Sequence, residues 1–487
     1  MNNMENNLLA LLLLLPFCGS VLAFSMPSDR LRPLLLPLCA TPHLALTFLV
    51  IQSGRPLTTA NGWIGVDPLS RLILPVISLL FLGCSFYAVG YLRCRIAWGN
   101  RTFVGCLLLF LSAMTLATIS RHLGLLWVAV ETTTVASAPL IYYNRNRLSM
   151  EATWKYLLLG SVGIALAMLG ILFIAYAGLA GGEHVSLQLD DILHGAANYS
   201  RPWLRAGFVF LLVGFGLKVG FAPLHTWKPD AYGEAPGLVG ALLAGGLTSV
   251  AFLALLRTLQ IMDAASEAVM AREAFLAMGL LSIAFAAVFV VRQPDFKRML
   301  AYSSVEHMGI LAIGISVGGI ATFGAMLHLI NNALTKGVLF LAAANIHRRF
   351  GSKKVADARG AISLVPLSAT LFLLGFLAIT GSPPFAPFIS EFTILQGVFS
   401  NGHFVTGGLF LFFLAVIFIG MGSTVLSVVF GTPPEKTGTG YENYRDTFAT
   451  TAVPLIMLLL IFVLGVYLPD PVRHICADAA ALLEVRP

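Results

Sequence analysis

The chain alternates long apolar runs with short polar connections, and this pattern predicts an all-α integral membrane protein. A helix needs about 20 mostly apolar residues to cross a bilayer, because its backbone rises about 1.5 Å per residue through roughly 30 Å of hydrocarbon. Measured with that length, the sequence contains about 14 transmembrane helices. Their expected ranges are 7–24, 33–52, 72–92, 102–120, 122–143, 154–178, 204–222, 237–261, 273–292, 299–319, 321–346, 361–382, 405–431 and 450–468.

Two of these helices, the seventh and the twelfth, run into breaks rich in Pro and Gly and continue as second halves at 223–235 and 384–400. An internal repeat accompanies the breaks. The residues WKYLLLGS at 154–161 resemble FKRMLAYS at 296–303, and Phe221-Ala222-Pro223 resembles Phe385-Ala386-Pro387. Inverted repeats that each contain a broken helix are a transporter architecture. We therefore predict two inverted five-helix repeats, each with a broken helix; chance similarity between apolar segments is the alternative.

This interpretation divides the chain into four units. They are 1–101 with helices 1–3, 102–261 with the first repeat (helices 4–8), 262–431 with the second repeat (helices 9–13), and 432–487 with the last helix and a short tail.

The composition agrees with a membrane protein and limits the cofactors. Apolar residues make up 57% of the chain and charged residues only 11%, whereas soluble domains carry about 25% charged residues. The six cysteines have no C-x-x-C spacing, so we expect no iron–sulfur cluster, no haem and no other cofactor or metal. They are Cys18, Cys39, Cys84, Cys94, Cys106 and Cys476.

The formal charge of +7 predicts topology rather than nucleic-acid binding. The Lys and Arg residues lie mostly in short loops, with no basic stripe between aromatic residues. About two-thirds of them fall in the odd-numbered connections, which predicts that both termini lie outside and that the protein is a multi-pass protein of the inner (cytoplasmic) membrane. The first run, 8–24, follows a segment without Lys or Arg, so we interpret it as a spanning helix; a cleaved signal peptide is the alternative.

Four ionisable residues interrupt the apolar helices: Glu131, Lys218, Lys336 and Glu391. Each costs roughly 2.5–3.5 kcal/mol at the centre of a spanning helix, even on the lenient insertion scale. They must therefore be hydrated or paired, and such residues are typical of proton and ion pathways. Glu131 has a natural cationic partner in Lys218, which precedes the break at Pro223; a static ion pair between two helices is the alternative.

A polar stripe surrounds Lys336. Asn332 and His328 lie one and two turns before it on the same helical face, and His307 with Ser303 forms a second stripe on the preceding helix. Because His exchanges protons near neutral pH, these stripes favour a hydrated path. A lone buried His is more often a satisfied hydrogen-bonding group than a relay.

Glu391 follows the second break and takes the position that His225 and Lys228 take after the first break. That correspondence predicts a role in transport for all three residues. The alternative for Glu391 is a helix-capping carboxylate, which the dipole of a helix start also favours.

Two blocks carry a resemblance to a known family. The residues KVGFAPLHTWKPDAYGEAP at 218–236 resemble a signature of the antiporter-like subunits of respiratory complex I and related hydrogenases. The residues DFKRMLAYSSVEHMG at 295–309 match a second block, and their ending is most similar to hydrogenase-4 component F of the group 4 hydrogenases. The resemblance covers roughly residues 60–430.

The resemblance implies a proton-translocating subunit without its own cofactor, with one half-channel per repeat. Glu131 resembles the fifth-helix carboxylate and Lys218 its partner on the broken seventh helix. Lys336 resembles the central lysine of the second repeat, His328 a histidine of the conducting path, and Glu391 the terminal charged residue. The implied partners are other membrane subunits of the assembly, the lipid bilayer and, indirectly, peripheral redox subunits, with no nucleic acid.

One departure concerns the eighth helix, where many relatives carry a Lys or His. This chain has Thr248 and Ser249 there, so we expect water near them to link the half-channels. Besides a proton-translocating (or Na⁺-translocating) subunit of a redox-driven complex, two functions remain open. One is a subunit of a multi-subunit cation/proton antiporter, and the other is a membrane anchor without conduction.

Overall fold

The computed structural model of the protein describes residues 2–52, 57–59, 61–93, 95, 98–433 and 444–484. Cys94 lies outside the described residues. Helices dominate the described part of the chain. In the first half they are α1 (Asn2–Ser25), α2 (Leu35–Gln52), α3 (Pro68–Arg93), α4 (Arg101–Ile119), α5 (Leu123–Ile141), α6 (Arg147–Ala180), α7 (Leu189–Gly195), α8 (Arg201–Val219), α9 (Trp227–Glu234), α10 (Gly237–Ala241) and α11 (Thr248–Ala264).

The second half continues the bundle. Its helices are α12 (Ala268–Val290), α13 (Phe296–Val317), α14 (Ile320–Phe350), α15 (Ala361–Leu364), α16 (Pro366–Ile379), α17 (Ala386–Ser400), α18 (Phe404–Phe430), α19 (Phe448–Val466) and α20 (Asp470–Ala481). A π-helical segment, Leu242–Leu247, joins α10 to α11 into one long helix. One antiparallel hairpin, β1 (Leu57–Thr59) with β2 (Ile64–Val66), lies between α2 and α3.

The predicted all-α membrane architecture is confirmed. Thirteen helices in the described part of the chain are long and apolar enough to cross a membrane, and Pro366–Ile379 is a shorter apolar helix. Several boundaries differ from the sequence-based ranges: the helix expected at 154–178 extends over Arg147–Ala180. An Asn146 side chain caps that helix by accepting from the Ser149 N–H, which explains the earlier start. The hairpin, α7 and α20 were not predicted.

Two central helices organise the bundle. The long helix Gly237–Ala264 is buried along its most apolar stretch, and most of α14 is buried as well. Other helices meet through glycine contacts that bring their backbones together: a Cβ on Gly163 of α6 would lie 3.1 Å from the Gly214 carbonyl of α8, and one on Gly279 of α12 would lie 2.9 Å from the Gly309 carbonyl of α13. Small residues at such crossings are characteristic of helix packing in membranes.

Both predicted breaks are present. The first separates α8 from α9, which begins at Trp227 rather than near 223, and the second separates α16 from α17, which begins at Ala386. Neighbouring side chains bond to the backbone at both breaks: the Trp227 indole N–H donates to the Leu217 carbonyl, which the end of α8 leaves exposed, at 2.8 Å, and the Asn331 amide donates to the Ala386 carbonyl at the start of α17 at 2.9 Å. Irregular backbone at membrane depth requires such partners. The division into four units, with two inverted repeats, stays a prediction.

Candidate functional site

The first buried lysine of the site, Lys218, lies in the last turn of α8 and is fully buried. Its ammonium donates to the Thr134 hydroxyl of α5 and lies 5.2 Å from the ring of Tyr156. The Thr134 hydroxyl donates to Glu131 at 3.2 Å, and Glu131 is only half-buried. Glu131 and Lys218, the predicted partners, interact electrostatically, and the Thr134 hydroxyl lies between the two charges.

The first break places a second lysine in contact with α13. Lys228 lies in the first turn of α9, is fully buried, and donates to the Ser304 hydroxyl of α13 at 3.2 Å. Its side chain packs over Gly220, whose φ of 77° is in the left-handed region and ends α8. A Cβ at Gly220 would overlap the Lys228 side chain.

His225 stands apart from this contact. Its ring lies between the rings of Phe285 and Tyr302, with centroid distances of 5.7 and 6.0 Å, and its Nδ1 has no hydrogen-bond partner. It is 5% exposed. The structure therefore places it beside the first break, in an aromatic setting.

The central lysine, Lys336 of α14, donates to the Ser303 hydroxyl of α13 at 2.8 Å. A carboxylate that the sequence analysis did not select, Glu306 of α13, is 1% exposed and interacts electrostatically with Lys336. Glu306 lies inside a predicted spanning helix, so the rule that selected the other four charges applied to it too. Glu306 was overlooked because it lies within the block at 295–309, which was considered only for its resemblance to a family.

A pair of histidines continues the row of polar groups. His307 Nδ1 and His328 Nε2 are 3.0 Å apart, and the rings stack at 5.1 Å between centroids. The other nitrogen of His328 lies 2.9 Å from the Ser390 hydroxyl of α17. The predicted stripes around Lys336 and His307 thus face each other. Asn332, expected on the same stripe, is buried with neither amide atom hydrogen-bonded.

Glu391 ends the row. It lies in the second turn of α17, which begins at Ala386, so it does not occupy the helix start that the capping alternative requires. Its carboxylate packs against Gly381, whose φ of 65° is left-handed, and Oε1 has no partner. The second break therefore repeats the feature of the first: a left-handed glycine beneath a buried charged side chain.

Three of these groups have the composition of a metal site. His307, His328 and Glu391 each offer a ligand atom, and these atoms lie within 4.8 Å of one another. The two imidazoles already bond to each other and to Ser390, which is an arrangement for passing a proton along the row. We therefore treat the cluster as part of the titratable row.

An aliphatic side chain closes the row on the side of the α13–α14 turn. Ile394 of α17 packs against two glycines: Cβ atoms on Gly314 and Gly324 would lie 3.2 and 2.9 Å from its Cγ1. Ile394 is aliphatic and the two glycines have no side chains, so this contact contains no polar side-chain group. This contact lies one to two helical turns from the histidine pair, on the side of the loop after Val317.

The predicted linking residues, Thr248 and Ser249, direct their hydroxyls into their own helix. They donate to the carbonyls of Ala244 and Gly245, both at 2.6 Å. These carbonyls lie in the π segment just before α11. A role for water near the two hydroxyls stays a prediction, and the Lys228–Ser304 contact offers another link between the repeats.

A cavity of about 680 Å³ opens at the end of α9. There Lys353 pairs with Glu234, and buried Lys297 donates to the carbonyls of Gly233 and Ala235 at 2.9 and 2.6 Å. The lining also includes Asp295, Arg298 and His347. This polar cavity reaches the helix that carries Lys228.

A second ion-pair cluster, which the sequence analysis missed, lies at the opposite ends of the helices. Arg257 of α11 is 1% exposed and donates to Asp67 at 2.6 Å, to the Ser70 hydroxyl at 3.1 Å and to the Thr118 carbonyl at 3.3 Å. Burial raises the pKa of Asp67, but the positive charge of Arg257 and the Ser70 N–H bond more than offset it, and the pKa is lowered. These contacts hold α3, α4 and α11 together.

Comparisons with known proteins agree with this geometry. The family model described as NADH:quinone oxidoreductase/Mrp antiporter, TM, matches residues 120–420. A hydrogenase-4 component F homolog of Methylacidiphilum infernorum is 31% identical over 98% of this chain and 99% of its own length. An NADH-quinone oxidoreductase subunit N of Desulforudis audaxviator is 29% identical over 75% of this chain and 70% of its own length.

Among solved structures, respiratory complex I from Thermus thermophilus with bound aureothin contains a similar chain. It is 27% identical, with a TM-score of 0.77, covering 94% of this chain and 97% of that chain. The residues matched by the family model include every member of the row from Glu131 to Glu391.

Proposed function

The chain belongs to the NADH:quinone oxidoreductase/Mrp antiporter transmembrane family, as the resemblance predicted, and we propose that it conducts protons as an antiporter-like subunit of a redox-driven membrane complex. The complex is of the group 4 hydrogenase or complex I type. In this function the chain performs no redox chemistry itself. Its titratable side chains take up, hold and release protons.

One observation carries the proposal: buried titratable groups follow one another from the first break to the second. Lys218 lies two residues before Gly220 in the last turn of α8, Lys228 packs over Gly220, and Lys228 reaches α13 through Ser304. From there the row continues along α13 and α14, and its remaining members are Lys336, Glu306, His307, His328, Ser390 and Glu391. A static scaffold has no use for so many costly groups in one line, whereas a proton path requires them.

The polar cavity at the end of α9 supports a supply of protons to this row. Its charged lining keeps it hydrated, and it lies beside the helix that begins with Trp227 and Lys228. The bias of Lys and Arg toward the connections on this side supports a cytoplasmic location for the cavity, with both termini outside. The membrane of the proposal is the cytoplasmic (inner) membrane.

Glu131 supports the presence of a neighbouring membrane subunit. It is half-buried on α5, next to the exposed side chains of Val128 and Val135. A carboxylate in contact with hydrocarbon is costly, so a covering helix with polar or cationic groups fits this face better than lipid. The similar proteins are named as components or subunits, which agrees with such an assembly.

The alternative function is a subunit of a multi-subunit cation/proton antiporter, because the family description includes the Mrp antiporter. The carboxylates Glu131, Glu306 and Glu391 would then also serve a metal cation such as Na⁺. The two functions differ in the energy source, which one vesicle preparation can test.

The experiment uses inside-out membrane vesicles that contain the assembled complex, with a fluorescent dye that reports acidification. Vesicles with the wild-type chain should acidify when the electron donor of the complex is added. A Na⁺ pulse without a donor should leave the dye signal unchanged. Alkalinisation of the vesicle lumen in response to Na⁺ alone, as Na⁺ enters in exchange for protons, would favour the antiporter.

Lys218→Ala and Glu131→Ala should abolish donor-driven acidification while the complex still assembles, because each removes a charge from the first half of the row. Lys155→Ala is the matched control, since Lys155 is about half exposed and pairs with Glu151 and Asp230 at the surface. Normal acidification by the Lys218 or Glu131 variants would show that this half of the row does not carry the protons.

A further inference from the structure

The row of titratable groups has a gap between its central lysine and its histidine pair. The Lys336 ammonium bonds to Ser303, whereas the hydrogen bonds of the histidines join them to each other and to Ser390. A serine hydroxyl relays a proton only if a neighbour accepts it, because it does not hold one. Proton transfer from Lys336 to His307 therefore needs an acceptor between them.

Glu306 occupies that gap. It lies one turn after Ser303 on α13, is 1% exposed, hydrogen-bonds to Ser303 and interacts electrostatically with Lys336. Its Oε2 lies 3.9 Å from His307 Nε2. Neither of these two atoms has a hydrogen-bond partner.

Unpartnered polar atoms this deeply buried are unusual in folded proteins, because each costs about 1–3 kcal/mol. Here the two unpartnered atoms face each other. A side-chain rotation that closes the gap by about 1 Å brings them to hydrogen-bonding distance. Glu306 Oε2 and His307 Nε2 are therefore placed to form and break a hydrogen bond with each other.

We propose that Glu306 holds the transported proton between Lys336 and His307; this inference rests on the proposed function. In the first step an N–H bond of the Lys336 ammonium breaks and an O–H bond forms on Glu306, so both groups become neutral. In the second step that O–H bond breaks and an N–H bond forms at His307 Nε2. No electrons change hands.

The histidine pair accepts the proton in the order that its bonds allow. With His307 donating through Nδ1 to His328 Nε2, the free Nε2 of His307 is the acceptor. Protonation there makes His307 an imidazolium, which releases its Nδ1 proton to His328. Glu306 also interacts electrostatically with Glu391, so moving the proton from one carboxylate toward the other relieves their repulsion in turn.

A different role for the same residue is a permanent negative charge that only stabilises Lys336. The two roles differ in one observable: a proton carrier exists as a neutral carboxylic acid during turnover, whereas a fixed counter-charge does not. A protonated carboxyl group has its own C=O stretching band in the infrared.

The experiment compares Glu306→Gln, Glu306→Asp and the control Glu267→Gln in the assembled complex. Glu267 is also a buried carboxylate, but it pairs with Arg205 at the membrane surface, away from the row. Glu306→Gln should slow donor-driven acidification roughly 10²-fold, the size of a typical proton-transfer group. Glu306→Asp should restore part of the rate, and Glu267→Gln should match the wild type.

Infrared difference spectra between samples in turnover and idle samples at the same pH supply the second measurement. The wild type should show a carboxylic acid band that Glu306→Gln lacks and Glu267→Gln keeps. A wild-type rate in Glu306→Gln, or an unchanged band, would overturn the inference. Absence of acidification in the wild type itself would instead refute the proposed function.

Discussion

The left-handed glycines beneath Lys228 and Glu391 lead to a prediction in which a charged side chain is displaced with only a modest loss of folding stability. Gly220→Ala adds one methyl group that would overlap the far end of the Lys228 side chain. A lysine end can move aside, so the overlap itself costs little. Moving it by about 1 Å stretches the 3.2 Å bond to Ser304 out of hydrogen-bonding range.

The expected magnitudes differ for folding and for transport. An alanine in the left-handed region costs about 1–2 kcal/mol, whatever surrounds it. A misplacement of about 1 Å in a reacting group can cost roughly 10²-fold in rate. Gly220→Ala should therefore fold with a modest loss of stability and acidify vesicles about 10²-fold more slowly.

Gly402→Ala is the control, because Gly402 has a φ of 77°, as Gly220 does, and a Cβ there would contact nothing within 4 Å. It should show the same loss of stability with a normal rate. Gly381→Ala, which pushes on Glu391, should behave as Gly220→Ala does. The reasoning fails if Gly220→Ala and Gly402→Ala acidify vesicles equally fast, as measured in the dye assay beside the unfolding free energies.

Two further predictions concern the buried ion pair of Asp67 and Arg257. Arg257→Met should lower the free energy of unfolding by about 3 kcal/mol at most, the low end for breaking a buried ion pair, because Arg121 stays 3.6 Å from Asp67. Combining it with Asp67→Asn should recover part of this loss, and the surface control Arg205→Met should cost less than about 1 kcal/mol. Reversible unfolding by steric trapping in bicelles measures these values, and a double variant as unstable as the single one would contradict the pairing. Because the pKa of Asp67 is lowered, its stabilisation is complete above the unfolded-state pKa of about 3.9 and is lost as the pH falls through the lower folded-state value. Melting temperatures measured across acidic pH should fall more steeply for the wild type than for Asp67→Asn, and equal slopes would count against this assignment.

The spanning helices were predictable because hydrocarbon imposes both length and composition on them. The helix ends were less so, since they depend on local caps such as the one that Asn146 provides for α6. The hairpin between α2 and α3 was missed because its strands are only three residues long, too short for a period-2 pattern.

The charged members of the site were predictable because each is costly alone. Their contacts were not, because the sequence does not give the distance between two helices. Thr134 therefore came between Glu131 and Lys218, and the serine partners of Lys228 and Lys336 emerged only from the packing of α13. Arg257 and Asp67 were missed for the same reason: 190 residues separate them, and only the fold joins them.

The Ile394 contact with Gly314 and Gly324 bears on proton leakage when the complex is not turning over. If the row carries protons as proposed, this apolar contact has no titratable group that could accept one, so it would oppose the return of protons through the loop after Val317. A barrier of this kind would preserve the proton gradient across the membrane while the supply of electrons pauses. Glu391 lies three residues before Ile394 on α17, so a proton that leaves the row would pass beside Glu391 rather than through the Ile394 contact.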